Sequence, residues 1–288
     1  MVRTRSSWWG DLRRLPRATA QVLGPRDLPL HAAALTFYSA LSLVPVVLVT
    51  GRAAAAIAGQ DRVRELAASL EDALPQALGA GPVARALVES GIDLDLVAVL
   101  IATLPASVYG EGLRRACSSL VGIPPGRWIA WRGRLATLPL VVVAPALLLG
   151  VLSVTPLLDD LLGGGAGSTA LGTYVALNVC WIAVSVVLAW VFVAVVPHAT
   201  PVRHAVVGAF ATGAFVAGFL QGFVLFLTLP IDLGLPFGGL VGVGAVVAVL
   251  LWLWVLHAVV LVGWVATRTW QDVRAGGGGD DPPAAARA

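Results

Sequence analysis

FGGLVGVGAVVAVLLWLWVLHAVVLVGWVAT, residues 237–267, runs for thirty-one residues without an Asp, Glu, Lys or Arg. A helix needs about 20 apolar residues to cross the hydrocarbon core of a bilayer, so this stretch can span it with some tilt. Working outward, five more apolar stretches share the chain: 30–58, 93–113, 135–158, 170–196 and 205–229. Charged residues make up 12% of the sequence and hydrophobic ones 58%, with a mean hydropathy of +0.87. A soluble domain carries roughly a quarter charged residues, and a soluble core of this size could not hide so much apolar surface. The expected fold is all-α: a polytopic membrane protein of six transmembrane helices.

Arginine placement orients it. All 19 basic residues are arginine. With six crossings and a cytoplasmic N-terminus, 15 of the 19 fall inside, and only Arg52, Arg62, Arg64 and Arg85 fall outside. The second stretch is the weak one, because its uncharged core covers only 96–110 and includes Pro105. By length alone it could re-enter rather than cross. Every later loop would then flip, leaving only the six N-terminal arginines inside. The positive-inside rule therefore selects six crossings, with both termini cytoplasmic. The net charge of +3 reflects loops facing anionic lipid, and no nucleic-acid partner is expected. The organisation read from this is a cytoplasmic segment 1–29, a membrane domain 30–270 and a disordered cytoplasmic tail 271–288 rich in Gly, Pro and Ala.

Between spans one and two, Val63, Leu66, Ala67, Leu70 and Leu74 recur at helical spacing. They predict an amphipathic helix ended by Pro75, with a second short helix over 82–89. Both would lie on the outer membrane surface or cap the bundle. Trp128 and Trp131 in the basic inner loop, with Trp8, Trp9 and Trp270, read as interfacial anchors. Cys117 and Cys180 are far apart and show no metal-ligand spacing, so neither a disulfide nor a metal site is expected.

Three segments resemble one family. HAAALTFYSALSLVP (31–45) looks like a first span of the YihY/BrkB type. EGLRRACSSLVGI (111–123), followed by Trp128 and arginines, is similar to that family's cytoplasmic connection. Val196-Pro-His through Phe237-Gly-Gly-Leu-Val-Gly242 to Leu250-Leu-Trp-Leu-Trp254 looks like its last two spans. The resemblance covers 30–270 in matching order. It implies a multi-pass protein of the bacterial plasma (inner) membrane, and no settled activity comes with it, although some members carry a ribonuclease BN label. The family's last span commonly carries a carboxylate shortly after a glycine. Here the sequence is Gly263-Trp-Val-Ala266, without one.

Candidate binding residues are Arg52, His257, Glu111, Arg114 and Arg115. An ionisable residue at membrane depth, His257, marks either a polar cavity or an interhelical hydrogen bond. Arg52 either snorkels to the outer interface or holds an anionic headgroup. Glu111 and Arg115 form an i, i+4 pair, which with Arg114 could gate a cavity mouth or hold lipid phosphate. Asn178, Gln221 and Ser185 read as packing groups. Ala209, Gly213 and Ala217 on one face of span five, Gly218 and Gly222 on another, and Gly238 and Gly242 at the start of span six predict close helix packing.

Catalysis is not expected. A nuclease would need clustered carboxylates or histidines around a metal. The cytoplasmic acids are scattered, and His198 and His204 have no carboxylate beside them. No cofactor is expected. The leading function is transport or handling of a lipid or other amphiphile, with membrane lipids as partners. The alternative is a non-transporting envelope-assembly scaffold, and span five could serve a homo-oligomer contact.

Overall fold

The computed structural model describes residues 8–73, 80–124, 128–162, 165–197, 201–227, 229 and 231–276. Leu74, Pro75, His198 and residues 277–288 lie outside that set. Every regular element among the described residues is a helix. The protein is an all-α polytopic membrane protein, and five of its helices are long and apolar enough to cross a bilayer: Leu28–Ala58, Leu96–Leu120, Gly167–Val195, Val202–Leu227 and Val241–Arg274.

An amphipathic helix, α1 (Trp8–Leu23), precedes the first span. Its Thr19 is buried and Val22 and Leu23 half-buried, and it packs on the last helix. α2 (Leu28–Ala58) starts where Asp27 accepts a hydrogen bond from the Leu30 N–H at 3.2 Å, a standard N-cap. At about 1.5 Å per residue α2 is about 46 Å long, more than a bilayer core requires. It ends at Gly59, whose φ of 89° suits glycine.

α3 (Gln60–Ala73) and α4 (Ala80–Ile92) then fold back over the end of α2. Val63 and Ala67 join Ala54, Ala55, Val88 and Ile92 in a small core, with Leu149 packed against it. The amphipathic segment thus caps this end of the bundle. Gly91 permits the approach, since a Cβ there would lie 2.6 Å from the Leu48 carbonyl oxygen.

α5 (Leu96–Leu120) begins at Asp95, which accepts from the Ala98 N–H at 2.7 Å. It runs unbroken through Pro105, about 38 Å at helical rise. It lies antiparallel to α2: Ser42 Oγ donates to the Pro105 carbonyl at 3.0 Å, and Arg52 Nε to the Leu94 carbonyl at 2.9 Å. α6 (Ile129–Leu162) starts beside the end of α5, and its Leu149 reaches the core under α3 and α4. It therefore runs from one end of the bundle to the other, carrying the uncharged stretch 135–158.

α7 (Ala166–Trp190) closes in a π-helical turn, Val191–Val195. α8 (Val202–Leu227) follows, then a 3₁₀ turn (Leu235–Phe237) and α9 (Val241–Gly276). The last helix starts later than 237 and continues through 271–276, so those six residues are helix rather than tail. Arg274 there lies over the Trp270 ring, 4.6 Å from its centroid.

The main core sits toward the arginine-rich end, where Leu35, Leu113, Cys117, Leu120, Phe192, Val195, Leu261 and Trp264 pack together. Only 17% of the most apolar window of α9 is buried inside the protein. Leu100, Ile101, Val207, Phe215, Val246 and Leu251 are all exposed. That much outward apolar surface is stable only against lipid.

Candidate functional site

His257 sits in α9 with 5% of its surface exposed. Its Nδ1 lies 3.2 Å from Thr36 Oγ1 of α2, and its Nε2 3.1 Å from the Tyr109 hydroxyl of α5. Thr36 donates its own proton to the Ala32 carbonyl at 2.9 Å. Its oxygen is therefore left to accept, which places the imidazole proton on Nδ1 and leaves Nε2 to accept from Tyr109. Every polar atom of the node has a partner. The node ties three helices together, and a buried imidazole satisfied on both nitrogens is the interhelical form of the expectation for His257.

Two residues after Tyr109, Glu111 is 9% exposed. Its Oε1 accepts from Arg115 Nε at 2.9 Å, and its Oε2 from Arg134 Nε of α6 at 2.8 Å. One carboxylate thus serves two guanidinium groups. The backbones are brought close by paired glycines: a Cβ on Gly133 would lie 2.9 Å from Glu111 Cα, and one on Gly110 would lie 2.5 Å from the Gly133 carbonyl oxygen. Arg134 also lies 5.8 Å from the Trp131 ring centroid. Arg114 does not join this set. Its Nη1 donates to the Val195 carbonyl at 2.8 Å, closing the C-terminal end of the π turn, where helix carbonyls lack partners.

Arg52 is half-buried and held to the Leu94 carbonyl, so it braces the α4–α5 corner. The other three arginines at that end are paired with acids: Arg62 with Glu65, Arg64 with Asp61 and Asp93, and Arg85 with Glu71 and Glu89. Hydrogen bonds that Arg85 donates to Glu89 and then to Glu71 hold its guanidinium pKa above its ordinary value. These exposed pairs contribute little to stability.

The packing residues divide. Ala209 and Ala217 are buried, and a Cβ on Gly213 would collide with Ser185 of α7. Ala209, Gly213 and Ala217 do form an inward face. Gly222 makes ordinary contact with Trp252, at 3.7 Å from a built Cβ. Gly218, Gly238 and Gly242 make no close contact: a Cβ on each would meet nothing within 4 Å among the described residues. Gly218 faces outward. Gly238 instead supplies a left-handed turn, with φ 66°, after the 3₁₀ helix. The tight α8–α9 contact uses other positions. Gly208 faces Thr267 and Gly263 faces Thr212, and each threonine hydroxyl donates at 2.7 Å to the glycine carbonyl on its own helix.

Reading the sequence singled out His257 and the Glu111–Arg115 pair but not their partners on other helices. Thr36, Tyr109 and Arg134 come from other spans, and only their polarity inside or beside apolar runs marked them. Among the described residues, no three His, Cys, Asp or Glu side chains gather as metal ligands.

The virulence factor BrkB family model matches residues 19–288. The chain belongs to the virulence factor BrkB family. This is the YihY/BrkB family to which the three segments point, and the match extends from α1 through the end of the chain. No curated protein and no solved structure matches the chain. Family membership fits an integral membrane protein, and the Thr36–His257–Tyr109 node and the Glu111 set are features of this member's own side chains.

Proposed function

We propose that this BrkB-family protein is a six-span plasma-membrane protein of a bacterium, with both termini cytoplasmic, that handles a lipid or other amphiphile and is not an enzyme. The observation that supports this reading is the pair of buried polar groups that α5 carries on two of its faces. Tyr109 meets His257 inside the bundle, and Glu111, two residues on, meets two arginines at the basic end. An ionisable residue at membrane depth is a functional hypothesis by default. An amphiphile would bring its headgroup to the basic end beside Arg115 and Arg134 and keep its tail against the exposed apolar residues of α5, α8 and α9. The end-to-end course of α6 supports the sixth crossing. The arginine-rich end, where α1 meets α9, is the cytoplasmic one by charge bias.

The test is mass spectrometry of the protein extracted in native lipid discs, beside an unrelated six-span control. Enrichment of one lipid or amphiphile, reduced in His257→Leu, is expected. Bulk lipid together with a stoichiometric protein partner would instead favour the envelope-assembly scaffold.

A further inference from the structure

α1 divides into an inner and an outer side. Leu15, Thr19, Val22 and Leu23 are buried or half-buried, Val22 and Leu23 against the main core. Arg13, Arg14, Arg17 and Gln21 share the opposite side by helical spacing, and all four are exposed. Leu12, 42% exposed, and Pro16, one turn later, make an apolar edge beside that stripe. A basic stripe with an apolar edge is the pattern of a helix lying in the headgroup layer.

One cleft gathers these arginines. It has a volume of about 610 Å³, and Arg13, Arg14, Arg17, Ala18 and Gln21 of α1 line it together with Val273 of α9. That volume lies within the range of small-ligand sites. Among the described residues none of the three arginines is paired with an acid; the ion pairs are made by Arg62, Arg64, Arg85, Arg115 and Arg134. Asp272, beside Val273, is exposed and does not line the cleft. Three unpaired guanidinium groups in one cleft suit a phosphate, whose oxygens only accept.

Val273 fixes the depth and direction of the cleft. It comes about 4.5 Å after Trp270 along α9, and a tryptophan at the end of a span settles at headgroup level. Leu251, Val262 and Val273 recur at intervals of eleven, about three turns, so they share one face of α9. Leu251 is 59% exposed and Val262 half-buried, which makes this the lipid-facing side. Val262 lies about 16 Å below Val273, about half the thickness of the hydrocarbon core. An acyl chain resting on this face would therefore carry its phosphate to the cleft.

We propose that the cleft between α1 and the end of α9 is a binding site for an anionic phospholipid, whose headgroup phosphate is held by Arg13, Arg14 and Arg17. None of these residues belongs to the Glu111 set, so the site is a second place for lipid. It rests on the amphiphile-handling reading only in the class of ligand. Its test reads equilibrium binding, so it can fail while movement of lipid stands, or stand while movement fails.

The full chain in maltoside micelles and phosphate-free buffer is titrated with phosphatidylglycerol, with diacylglycerol of the same chains, and with glycerol 3-phosphate, and adducts are counted by native mass spectrometry. One phosphatidylglycerol per chain is expected, at concentrations where the other two do not bind. Arg13→Gln, Arg14→Gln and Arg17→Gln should each weaken it by about 5-fold, and all three together by about 100-fold. These side chains are exposed, so the variants should keep the wild-type circular dichroism. Arg203→Gln, at the start of α8 and outside the cleft, should leave binding unchanged. Val273→Trp fills the cleft without changing charge and should weaken binding by about 5-fold as well. An equal loss in Arg203→Gln, or unchanged affinity in Val273→Trp, would reduce the site to diffuse surface charge and overturn it. Equal binding of diacylglycerol would overturn the role of the phosphate. Competition by glycerol 3-phosphate at matched concentration would overturn the lipid as the ligand.

Discussion

Replacing Glu111 by Gln tests the basic end of the bundle quantitatively. The carboxylate accepts from Arg134 of α6 at 2.8 Å and from Arg115 of its own helix at 2.9 Å. Its side chain is 11% exposed, against 31% for Arg134 and 46% for Arg115. Gln keeps one acceptor oxygen but turns an NH₂ toward the second guanidinium. Removing one partner of a fully buried pair costs about 3–5 kcal/mol. The arginines here are partly solvated, so we expect about 2 kcal/mol for Glu111→Gln. Arg134→Gln should cost about 1.5 kcal/mol, because it breaks a tie between two helices. Arg115→Gln should cost only about 0.5 kcal/mol, the worth of an i, i+4 pair on a helix surface. Unfolding in maltoside micelles by rising SDS fraction, followed by circular dichroism, measures each. The Glu111–Arg134 double-mutant cycle should return a coupling of about 1 kcal/mol. A coupling below about 0.3 kcal/mol, or an Arg115→Gln cost at or above that of Arg134→Gln, would refute the reasoning.

Other outcomes follow from the same contacts. Gly263→Ala puts a methyl onto Thr212 and should cost about 1–3 kcal/mol by overpacking, part of it recovered when Thr212→Ala is added; Gly218→Ala, in open space, should stay within about 0.5 kcal/mol in the same SDS titration. Tyr109→Phe removes the donor to His257 Nε2 and should cost about 1 kcal/mol, the scale of interhelical hydrogen bonds in lipid, with His257→Leu costing more. With Cys117 and Cys180 replaced by Ala, a membrane-impermeant maleimide should label Arg62→Cys in intact cells. Arg13→Cys and Arg274→Cys should react only after the membrane is opened, and labelling of either in intact cells would reverse the proposed orientation.

The spans were legible in the sequence because lipid demands long uncharged runs: five of the six expected stretches coincide with helices long and apolar enough to cross a bilayer, and the other, 135–158, lies within α6. Helix ends were less legible, since a hydropathy window stops at the first charges and a helix does not. α5 was expected to end at 113, yet it continues to Leu120, because Leu113, Cys117 and Leu120 keep one face buried. α9 likewise carries on past 267, packed beneath α1. α1 itself was read only as a basic segment, because its buried Thr19 and half-buried Val22 and Leu23 are few among arginines. For the site, His257 and Glu111 stood out as ionisable groups inside or beside apolar runs. Thr36, Tyr109 and Arg134 reach them through tertiary packing, which no single stretch encodes. The four-residue spacing of small residues found the inward face of α8 at Ala209, Gly213 and Ala217. It could not distinguish that face from the open one at Gly218, since spacing reports a shared face but not what lies opposite. The Gly–Thr pairs of α8 and α9 escaped for a related reason: threonine at 212 and 267 is not small enough to fit the pattern, although it fits the space a glycine leaves.

The most direct test of the proposed role is lipid movement in vesicles reconstituted with the purified protein. A head-labelled fluorescent phosphatidylglycerol is placed in both leaflets, and dithionite is added outside. The proposal predicts that the inner-leaflet signal, protected in protein-free vesicles, is bleached when the protein is present, more slowly with His257→Leu. An inner-leaflet signal as protected as in empty vesicles, with folded protein shown in the same membranes, would contradict it and leave the scaffold reading in its place.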